Sequence, residues 1–288
     1  MILKCGDRVG IVACSDGLEQ GEQDHLKELS HVLEQLGLQL VYSPYLFCQV
    51  SVFSASGLQR ADALSAMYQD DGIKAIFDIS GGDVANELLE HLDYSQIRKH
   101  PKPFFGYSDL TTIINAIYAK TSLPSYLYQV RCLVWENEGT QLDAFQKSLF
   151  HGKDDLFRAE WTFFRGEKME GEVVGGNIRC FLKLAGTQYM PDFNGKILFL
   201  ESLGGGAAQM ATYLSQLKQM GAFDNISGLL LGTFTRMEEK NETPDMVELV
   251  RNITKDYDFP IAKTHDIGHA NSSKCLMIGS RQMFTKVW

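Results

Sequence analysis

A serine at position 108 stands where an apolar run ends and a helical pattern begins. The run PFFG at residues 103–106 predicts a short buried strand with a sharp turn, and the apolar spacing of residues 109–121 predicts a helix. Such a turn is typical of the G-x-S-x-G nucleophile elbow, although the fifth position here is Leu110. Ser108 is therefore either a nucleophile or the N-cap of the helix, with its hydroxyl accepting a hydrogen bond from a backbone N–H.

A hydroxyl nucleophile needs a base that takes its proton. Of the seven histidines, five lie in helical patterns or polar turns, whereas His265 and His269 lie in the loop THDIGHANSS. A loop histidine among small polar residues is the better candidate for a base. Two histidines four residues apart also suit a metal in the H-E-x-x-H pattern. The glutamate is missing, however, and Gly268 disfavours a helix, so no metal is expected.

Two carboxylates are candidates for the group that orients the base. Glu201 comes directly after the apolar run KILFL, where a carboxylate either emerges into solvent or is held against a base. Asp109 is the rival because it is next to Ser108. A negative side chain at that position also stabilises the positive end of a helix dipole.

Backbone N–H groups that could bind a developing oxyanion are found at two strand ends. One is the N–H of Asp109 at the predicted helix start, and the others belong to Gly81 and Gly82 in ISGGD. Glycine lets a ligand approach the backbone closely, so paired N–H groups there suit an anion. The segment VVGGN, which ends at Asn177, has the same pattern. Each Gly-Gly pair is also compatible with an ordinary turn.

The composition excludes several classes of protein. The 288 residues are 44% apolar and 11% aromatic, enough for one large domain or two ordinary ones. A net charge of −9 disfavours nucleic acid and membrane surfaces as partners, because phosphate binding needs clustered Lys and Arg. No apolar run approaches about 18 residues, and the N-terminus lacks a signal-peptide pattern, so a cytoplasmic protein is expected. The six cysteines show no C-x-x-C spacing and are expected to be reduced.

Apolar runs alternate with helical patterns between residues 8 and 125. This alternation predicts βαβ units and a mostly parallel sheet, in which ligands collect at the carboxyl ends of the strands. The loops at those ends are ACSDG, ISGGD and GYSD. The predicted strands are RVGIVAC, LQLVYSP, AIFDIS and PFFGYS, and the predicted helices are EQDHLKELSHVLEQLG, LQRADALSAMYQDDG, DVANELLEHLD and DLTTIINAIYAKT.

The pattern changes after residue 125. Residues 126–170, including WENEGTQLD, are more polar and aromatic and predict a helical connection before a second unit. We therefore expect an α/β fold with three parts. An α/β domain spans 1–150 with its mostly parallel sheet flanked by helices, a linker spans 151–170, and a smaller β-rich domain spans 171–288. The predicted strand segments of the last part are GEVVGGNIRCFLKLAGT, NGKILFLES, ISGLLLGTFT and CLMIGSRQMFTKVW, with one helix at AAQMATYLSQLKQMGAF.

Several segments occur together in a fixed order along the chain. They are GDRVGIVACS, ISGGD, LLEHLDYSQIRKHPKPFFGYSDLTTIINAIYAKT, VVGGN, LAGTQYMPDFNGKILFLE, GAFDNISGLLLGTF and DIGHA. This set resembles the LD-carboxypeptidase family of serine peptidases over residues 6–279. That family includes cytoplasmic murein tetrapeptide carboxypeptidases and microcin C immunity peptidases. The GYSD turn and the block GGN…GT-x-Y-x-P-D…GKILFLE are the most specific parts of the resemblance.

The resemblance implies a catalytic triad divided between two domains. By position, Ser108 would be the nucleophile, Glu201 the orienting acid and His269 the general base. Members of the family are typically homodimers without a metal or other cofactor. Their active site lies between an N-terminal α/β domain and a smaller β-rich domain.

The resemblance also implies an oxyanion hole, made by the backbone N–H of Asp109 and of a glycine in ISGGD, for which we choose Gly82. We expect Gly81, Asp83 and Asn177 to bind substrate. The implied reaction is hydrolysis of an amide next to a terminal carboxylate. The expected bond is the L,D-bond before the terminal D-alanine of a murein tetrapeptide.

Three loops depart from the family pattern and leave the substrate open. They are Ala13-Cys14-Ser15, the segment SLGGGAAQMATYL that begins at Ser202, and the segment ANSSKCLMIG that begins at Ala270. One alternative is a microcin-like acylated nucleotide, and another is a peptide-binding relative without turnover. A nucleotide-binding α/β enzyme ranks last, because neither G-x-G-x-x-G nor G-x-x-x-x-G-K-[ST] occurs.

Overall fold

Two six-stranded sheets form the framework of the computed structural model, which describes residues 1–135 and 139–286. The strands of these ranges are β1 (Arg8–Val12), β2 (Gln39–Tyr42), β3 (Ile73–Asp78), β4 (Phe104–Gly106), β5 (Ser125–Leu127), β6 (Thr162–Arg165), β7 (Lys168–Asn177), β8 (Ile197–Ser202), β9 (Gly228–Phe234), β10 (Ile261–Lys263), β11 (Leu276–Ile278) and β12 (Arg281–Thr285). The α-helices are α1 (Gln23–Gln35), α2 (Gly57–Gln69), α3 (Tyr94–Lys99), α4 (Thr111–Thr121), α5 (Cys132–Trp135), α6 (Thr140–His151), α7 (Ile178–Leu182), α8 (Ala207–Gln219), α9 (Thr235–Glu239) and α10 (Met246–Ile253).

The first sheet has the strand order β2-β1-β3-β4-β5-β11. Its five strands from the N-terminal half pair in parallel, and β11 pairs antiparallel with β5. A parallel sheet is covered on both faces, which explains why β3 reads as a nearly continuous apolar run. Ile76 and Phe77 in that strand are completely buried. The prediction of a mostly parallel N-terminal sheet is confirmed.

The second sheet has the strand order β12-β7-β8-β9-β10-β6. Its four central strands are parallel, and β12 and β6 pair antiparallel at the two edges. Every residue of β8 and β9 is buried. The predicted α/β fold class, with a second strand-containing unit, is confirmed. The predicted helix of that unit forms as α8, and the structure adds three more, α7, α9 and α10.

Helix α4 lies between the two sheets, and its side chains are therefore buried on almost every side. Asn115 donates a hydrogen bond to the Gly175 carbonyl (2.8 Å) and accepts one from the Gly175 N–H (2.9 Å). One turn earlier, the Thr111 hydroxyl accepts a bond from the Asn177 N–H (3.0 Å). The start of α4 is thus held against the end of β7. A Cβ on Gly176 would lie 2.5 Å from the Thr111 hydroxyl oxygen, so the Gly-Gly pair allows this approach.

The predicted helix over 83–93 is wrong. Only a 3₁₀ turn forms there, at Ala85–Leu88, and α3 begins after Asp93. The Asp93 side chain accepts hydrogen bonds from two backbone N–H groups of α3 and so caps that helix instead.

Three further sequence predictions differ from the structure or extend beyond it. Residues 178–182 form α7, whereas the sequence predicts a strand-like segment there. The predicted domain boundaries stay a prediction, because β11 belongs to the first sheet although its residues fall within 171–288. Residues 136–138 of WENEGTQLD and the last two residues of the run ending at 288 lie outside the described residues.

Asp78 at the end of β3 connects the fold to the ISGGD loop. Its carboxylate is fully buried and accepts bonds from the Cys14 N–H (2.8 Å), the Ser80 N–H (2.8 Å) and the Ser80 hydroxyl (2.6 Å).

We expect Asp78→Ala to lower the free energy of unfolding by about 1–3 kcal/mol for each buried donor left unpaired. Urea denaturation measures this loss, and Asp62→Ala on the exposed face of α2 is the control. Equal stability of the two variants would contradict the prediction.

Candidate active site

Ser108 lies directly after β4, with its backbone in the left-handed region at φ 57°. This conformation is uncommon for a residue other than glycine and is typical of a strained nucleophile elbow. The turn is closed by the Leu110 N–H, which donates to the Tyr107 carbonyl (3.0 Å). The Ser108 hydroxyl lies 3.2 Å from Nε2 of His269. The hydroxyl therefore faces a histidine, and the helix start is not capped by it.

His269 lies between Ser108 and Glu201. Its Nδ1 lies 2.8 Å from Oε2 of Glu201, a carboxylate that is fully buried at the end of β8. A carboxylate only accepts, so Nδ1 carries the ring proton and the Nε2 lone pair faces the Ser108 hydroxyl. The rival histidine, His265, has a side chain that is 77% exposed and lies nearest to Glu238. Of the two candidate bases, the structure places His269 next to the serine.

Gly268 allows the histidine loop to lie against β9. A Cβ at this position would lie 1.6 Å from the Thr233 hydroxyl oxygen, so a larger residue does not fit without moving the loop. The Gly268 N–H donates to the Ser273 hydroxyl (3.2 Å). These contacts hold the backbone next to His269 in place.

Tyr107 contacts both Glu201 and His269. Its hydroxyl donates to Oε2 of Glu201 (3.0 Å), and its ring lies edge-on to the His269 ring at 4.8 Å between centroids. Burial, followed by the neighbouring Glu201 charge, raises the pKa of Tyr107 well above its usual range. The phenol therefore stays protonated and remains a donor. Sequence reasoning missed this residue, because its partner is 94 positions away and no local pattern connects them.

Asp109 is not placed beside the histidine. Its carboxylate is fully buried, accepts bonds from the Ser15 hydroxyl (2.7 Å) and the Ala85 N–H (2.8 Å), and pairs with Lys183 at the C-terminal end of α7. Of the two candidate acids, only Glu201 contacts the base. The side chain of Asp109 thus connects its own loop, and the two segments that contain Ser15 and Ala85, to Lys183 in the second unit.

The ISGGD loop lies next to Ser108. A Cβ built on Gly81 would lie 3.9 Å from the Ser108 Cβ, and Gly82 has a φ of 117° that only glycine adopts readily. Among the hydrogen bonds of residues 1–135 and 139–286, none uses the N–H of Asp109 or of Gly82 as a donor. Both N–H groups are therefore available to an anion at this point.

The remaining predicted substrate residues lie on the other side of the serine. Asp83 pairs with Arg179 of α7 and with Lys183, the residue that caps the C-terminal end of this helix. Asn177 caps the N-terminal end of the same helix by accepting the Cys180 N–H (3.3 Å). Sequence reasoning missed the two cations because it predicted a strand-like segment there, in which their i,i+4 spacing has no meaning.

Two cavities meet at Ser108. The histidine pocket has a volume of about 250 Å³ and contains His269, and the α7 pocket has a volume of about 300 Å³ and contains Arg179. Ser108, Gly82 and Leu203 line both cavities. A third cavity, of about 420 Å³ beside α9 and α10, contains none of these residues. The serine hydroxyl therefore stands at the boundary of a two-sided cleft.

Residues 1–135 and 139–286 give little support to a metal site, a cysteine nucleophile or a membrane-spanning helix. No cluster of three or more His, Cys, Asp or Glu side chains suited to a metal occurs among the described residues. Burial raises the pKa of the Cys14 and Cys275 thiols, which makes them poor nucleophiles. None of the helices in the described ranges is both long and apolar enough to cross a membrane.

Two models of known protein domains match most of the chain. Models of the LD-carboxypeptidase N-terminal domain and C-terminal domain match residues 9–128 and 170–283. The chain belongs to the LD-carboxypeptidase family. The predicted enzyme class, a serine peptidase of the LD-carboxypeptidase type, is confirmed by this membership.

Two relatives of this chain have names that refer to different substrates. A probable murein peptide carboxypeptidase of Bacillus subtilis is 28% identical over 97% of this chain and 89% of its own length. The microcin C7 self-immunity protein MccF of Escherichia coli is 25% identical over 96% of this chain and 90% of its own.

Solved structures show the same fold. MccF in complex with aspartyl sulfamoyl adenosine has a TM-score of 0.87 at 23% identity, covering 98% of this chain and 94% of its own. A muramoyltetrapeptide carboxypeptidase from Oxalobacter formigenes has a TM-score of 0.79 at 20% identity, covering 97% of this chain and 95% of its own.

Gly82→Ala and Gly81→Ala form a matched pair that tests the loop geometry. An added Cβ at Gly82 would lie 2.0 Å from the carboxyl carbon of Asp16, whose Oδ1 accepts a hydrogen bond from the Asp83 N–H (2.8 Å). With the unfavourable φ, we expect Gly82→Ala to lower the free energy of unfolding by about 1–3 kcal/mol. Gly81→Ala meets only an ordinary contact and should change stability by less than about 0.5 kcal/mol. Denaturant titration of both variants measures the difference, and equal losses would refute it.

Proposed function

We propose that the chain is a serine carboxypeptidase that hydrolyses the L,D-amide before the terminal D-alanine of a murein tetrapeptide. The observation that carries this proposal is the continuous contact from the Ser108 hydroxyl through both ring nitrogens of His269 to Glu201. Membership of the LD-carboxypeptidase family and the murein peptide relative support the choice of bond. The expected cytoplasmic location and homodimer belong to the same proposal.

In the first half of the proposed reaction, Nε2 of His269 takes the Ser108 proton as Oγ attacks the scissile carbonyl carbon. The N–H groups of Asp109 and Gly82 stabilise the oxyanion that forms. Glu201 keeps the ring in the required tautomer and stabilises the imidazolium. When the tetrahedral intermediate collapses, the proton on Nε2 passes to the departing amine and an acyl-enzyme remains.

In the second half, the same histidine takes a proton from water, and the hydroxide attacks the acyl carbon. The carbonyl is restored when Oγ leaves and takes the proton from His269. The products are a shortened peptide with a new carboxyl group and a free amino acid. Tyr107 acts through Glu201 as a positioning residue, because its donated bond fixes the carboxylate oxygen that the histidine uses.

A second candidate substrate is a peptidyl or aminoacyl nucleotide. The likeness to MccF, which has been solved with aspartyl sulfamoyl adenosine, favours it. Incubating the purified protein with a murein tetrapeptide and with an aminoacyl adenylate analogue in parallel discriminates the two. Release of D-alanine from the tetrapeptide supports the proposal. Cleavage of the nucleotide alone supports the second candidate, and binding without turnover of either supports a peptide-binding relative.

Ser108→Ala should lower kcat by about 10⁴–10⁶-fold, as removal of a nucleophile does in other serine hydrolases. Ser122→Ala is the matched control, because Ser122 also has a positive φ of 61° but lies exposed at the end of α4. Release of D-alanine by each variant measures the difference. Near wild-type turnover by Ser108→Ala would exclude Ser108 as the nucleophile.

Tyr107→Phe should lower kcat by about 10–100-fold, since a hydrogen bond to a charged group contributes about 1.5–3 kcal/mol. Without the phenol, Glu201 orients His269 less well but substrate binding is unchanged, so kcat should fall while KM stays close to the wild-type value. Tyr118→Phe is the control, because Tyr118 donates to Glu172 (2.8 Å) in a similar pair without any contact to the triad. Steady-state kinetics of both variants measure kcat and KM separately. An equal loss of kcat in the two variants would mean that Tyr107 has only a structural role.

A further inference from the structure

The two cavities at Ser108 are not equivalent for a reaction that releases an amine. The amine leaves only after it receives the proton that His269 holds. His269 lines the histidine pocket, and the lining of the α7 pocket does not include it. The departing residue of the substrate must therefore occupy the histidine pocket, and the acyl part must extend into the α7 pocket.

The charges of the two cavities support this assignment. In the α7 pocket, Arg179 and its partner Asp83 both line the cavity, so the cation and the acid largely cancel there. In the histidine pocket, Arg131 is the one arginine or lysine among the described lining residues, and its partner Glu22 does not line that pocket. A guanidinium binds a carboxylate more strongly than a neutral donor does. Arg131 is therefore the side chain suited to bind a free carboxylate on the departing residue.

The Arg131 side chain is held in a position suited to that role. Its guanidinium lies over the Trp135 ring at 4.5 Å, donates to the Ile79 carbonyl (3.3 Å) and pairs with Glu22. The side chain is only 15% exposed, so a carboxylate bound there would be weakly screened by solvent. Arginine carries five N–H donors, and the two bonds described use two of them. The planar group is therefore fixed in place while donors remain for a second carboxylate.

We propose that Arg131 binds the terminal carboxylate of the departing residue in the histidine pocket and so makes the enzyme a carboxypeptidase. The assignment rests on the proposed function, because it presumes that Ser108 attacks a peptide amide. It adds the orientation of the peptide in the cleft, with its C-terminus in the histidine pocket, and the residue that binds the terminal carboxylate. Glu22 holds the guanidinium before substrate arrives and competes with the substrate carboxylate for it.

The test compares two peptides that differ only at the terminus, one ending in D-alanine and the other in D-alaninamide. Wild-type enzyme should prefer the free acid. Arg131→Gln should lower kcat/KM for the acid by about 100-fold, as loss of one partner of a close charge pair does, with a far smaller effect on the amide. Arg131→Lys, which keeps the charge without the planar fork, should retain part of the preference.

Two further variants complete the design. Arg179→Gln in the α7 pocket is the matched control and should lower kcat/KM for both peptides by the same factor. Glu22→Gln removes the competing carboxylate and should lower KM for the acid only.

If Arg131→Gln keeps the wild-type preference for the acid, the assignment is overturned while the proposed function stands. If the wild-type enzyme cleaves neither peptide, the proposed function fails and the assignment fails with it.

Discussion

The buried carboxylate of Asp109 is the constraint on which the arrangement of the cleft depends. An ionised group without solvent must be paired and hydrogen-bonded, because burying it alone is very costly. Here the loop after β1 supplies the Ser15 hydroxyl, the segment after β3 supplies the Ala85 N–H, and the C-terminal end of α7 supplies Lys183. One side chain therefore brings together two strand ends of the first sheet and a helix of the second unit. Ser108 is the residue directly before Asp109 in the chain.

The same region of α4 is held a second time by neutral contacts. Asn115 and Thr111 bond to the end of β7, and the strand next to it, β8, carries Glu201. Two sheets from distant parts of the sequence thus meet at a single helix start. The distances from Ser108 to His269 and from His269 to Glu201 follow from how these sheets pack. They do not depend on the serine turn alone.

Much of the fold follows from local sequence pattern, because periodicity and turn residues act over a few positions. The first four strands, α1, α2, α4 and α8 lie where the sequence predicts them. The helix expected over 83–93 fails because Asp93 caps a later start. Contacts between distant residues, such as Tyr107 with Glu201, have no local signature, and so neither Tyr107 nor Lys183 was identified as functional. The local pattern alone left Ser108 either a nucleophile or a cap, since its histidine lies 161 positions away, and the family resemblance was needed to choose the nucleophile.

The loop that carries His269 begins after β10 in the second sheet and ends at β11 in the first. Strand pairing therefore fixes the backbone before His269 to the second sheet and the backbone after it to the first. A rotation of one sheet relative to the other would move the two ends of this loop apart or together. The distance between the Ser108 hydroxyl and Nε2 of His269 consequently depends on the angle between the two sheets. Neither half of the molecule alone holds Ser108, His269 and Glu201 in contact.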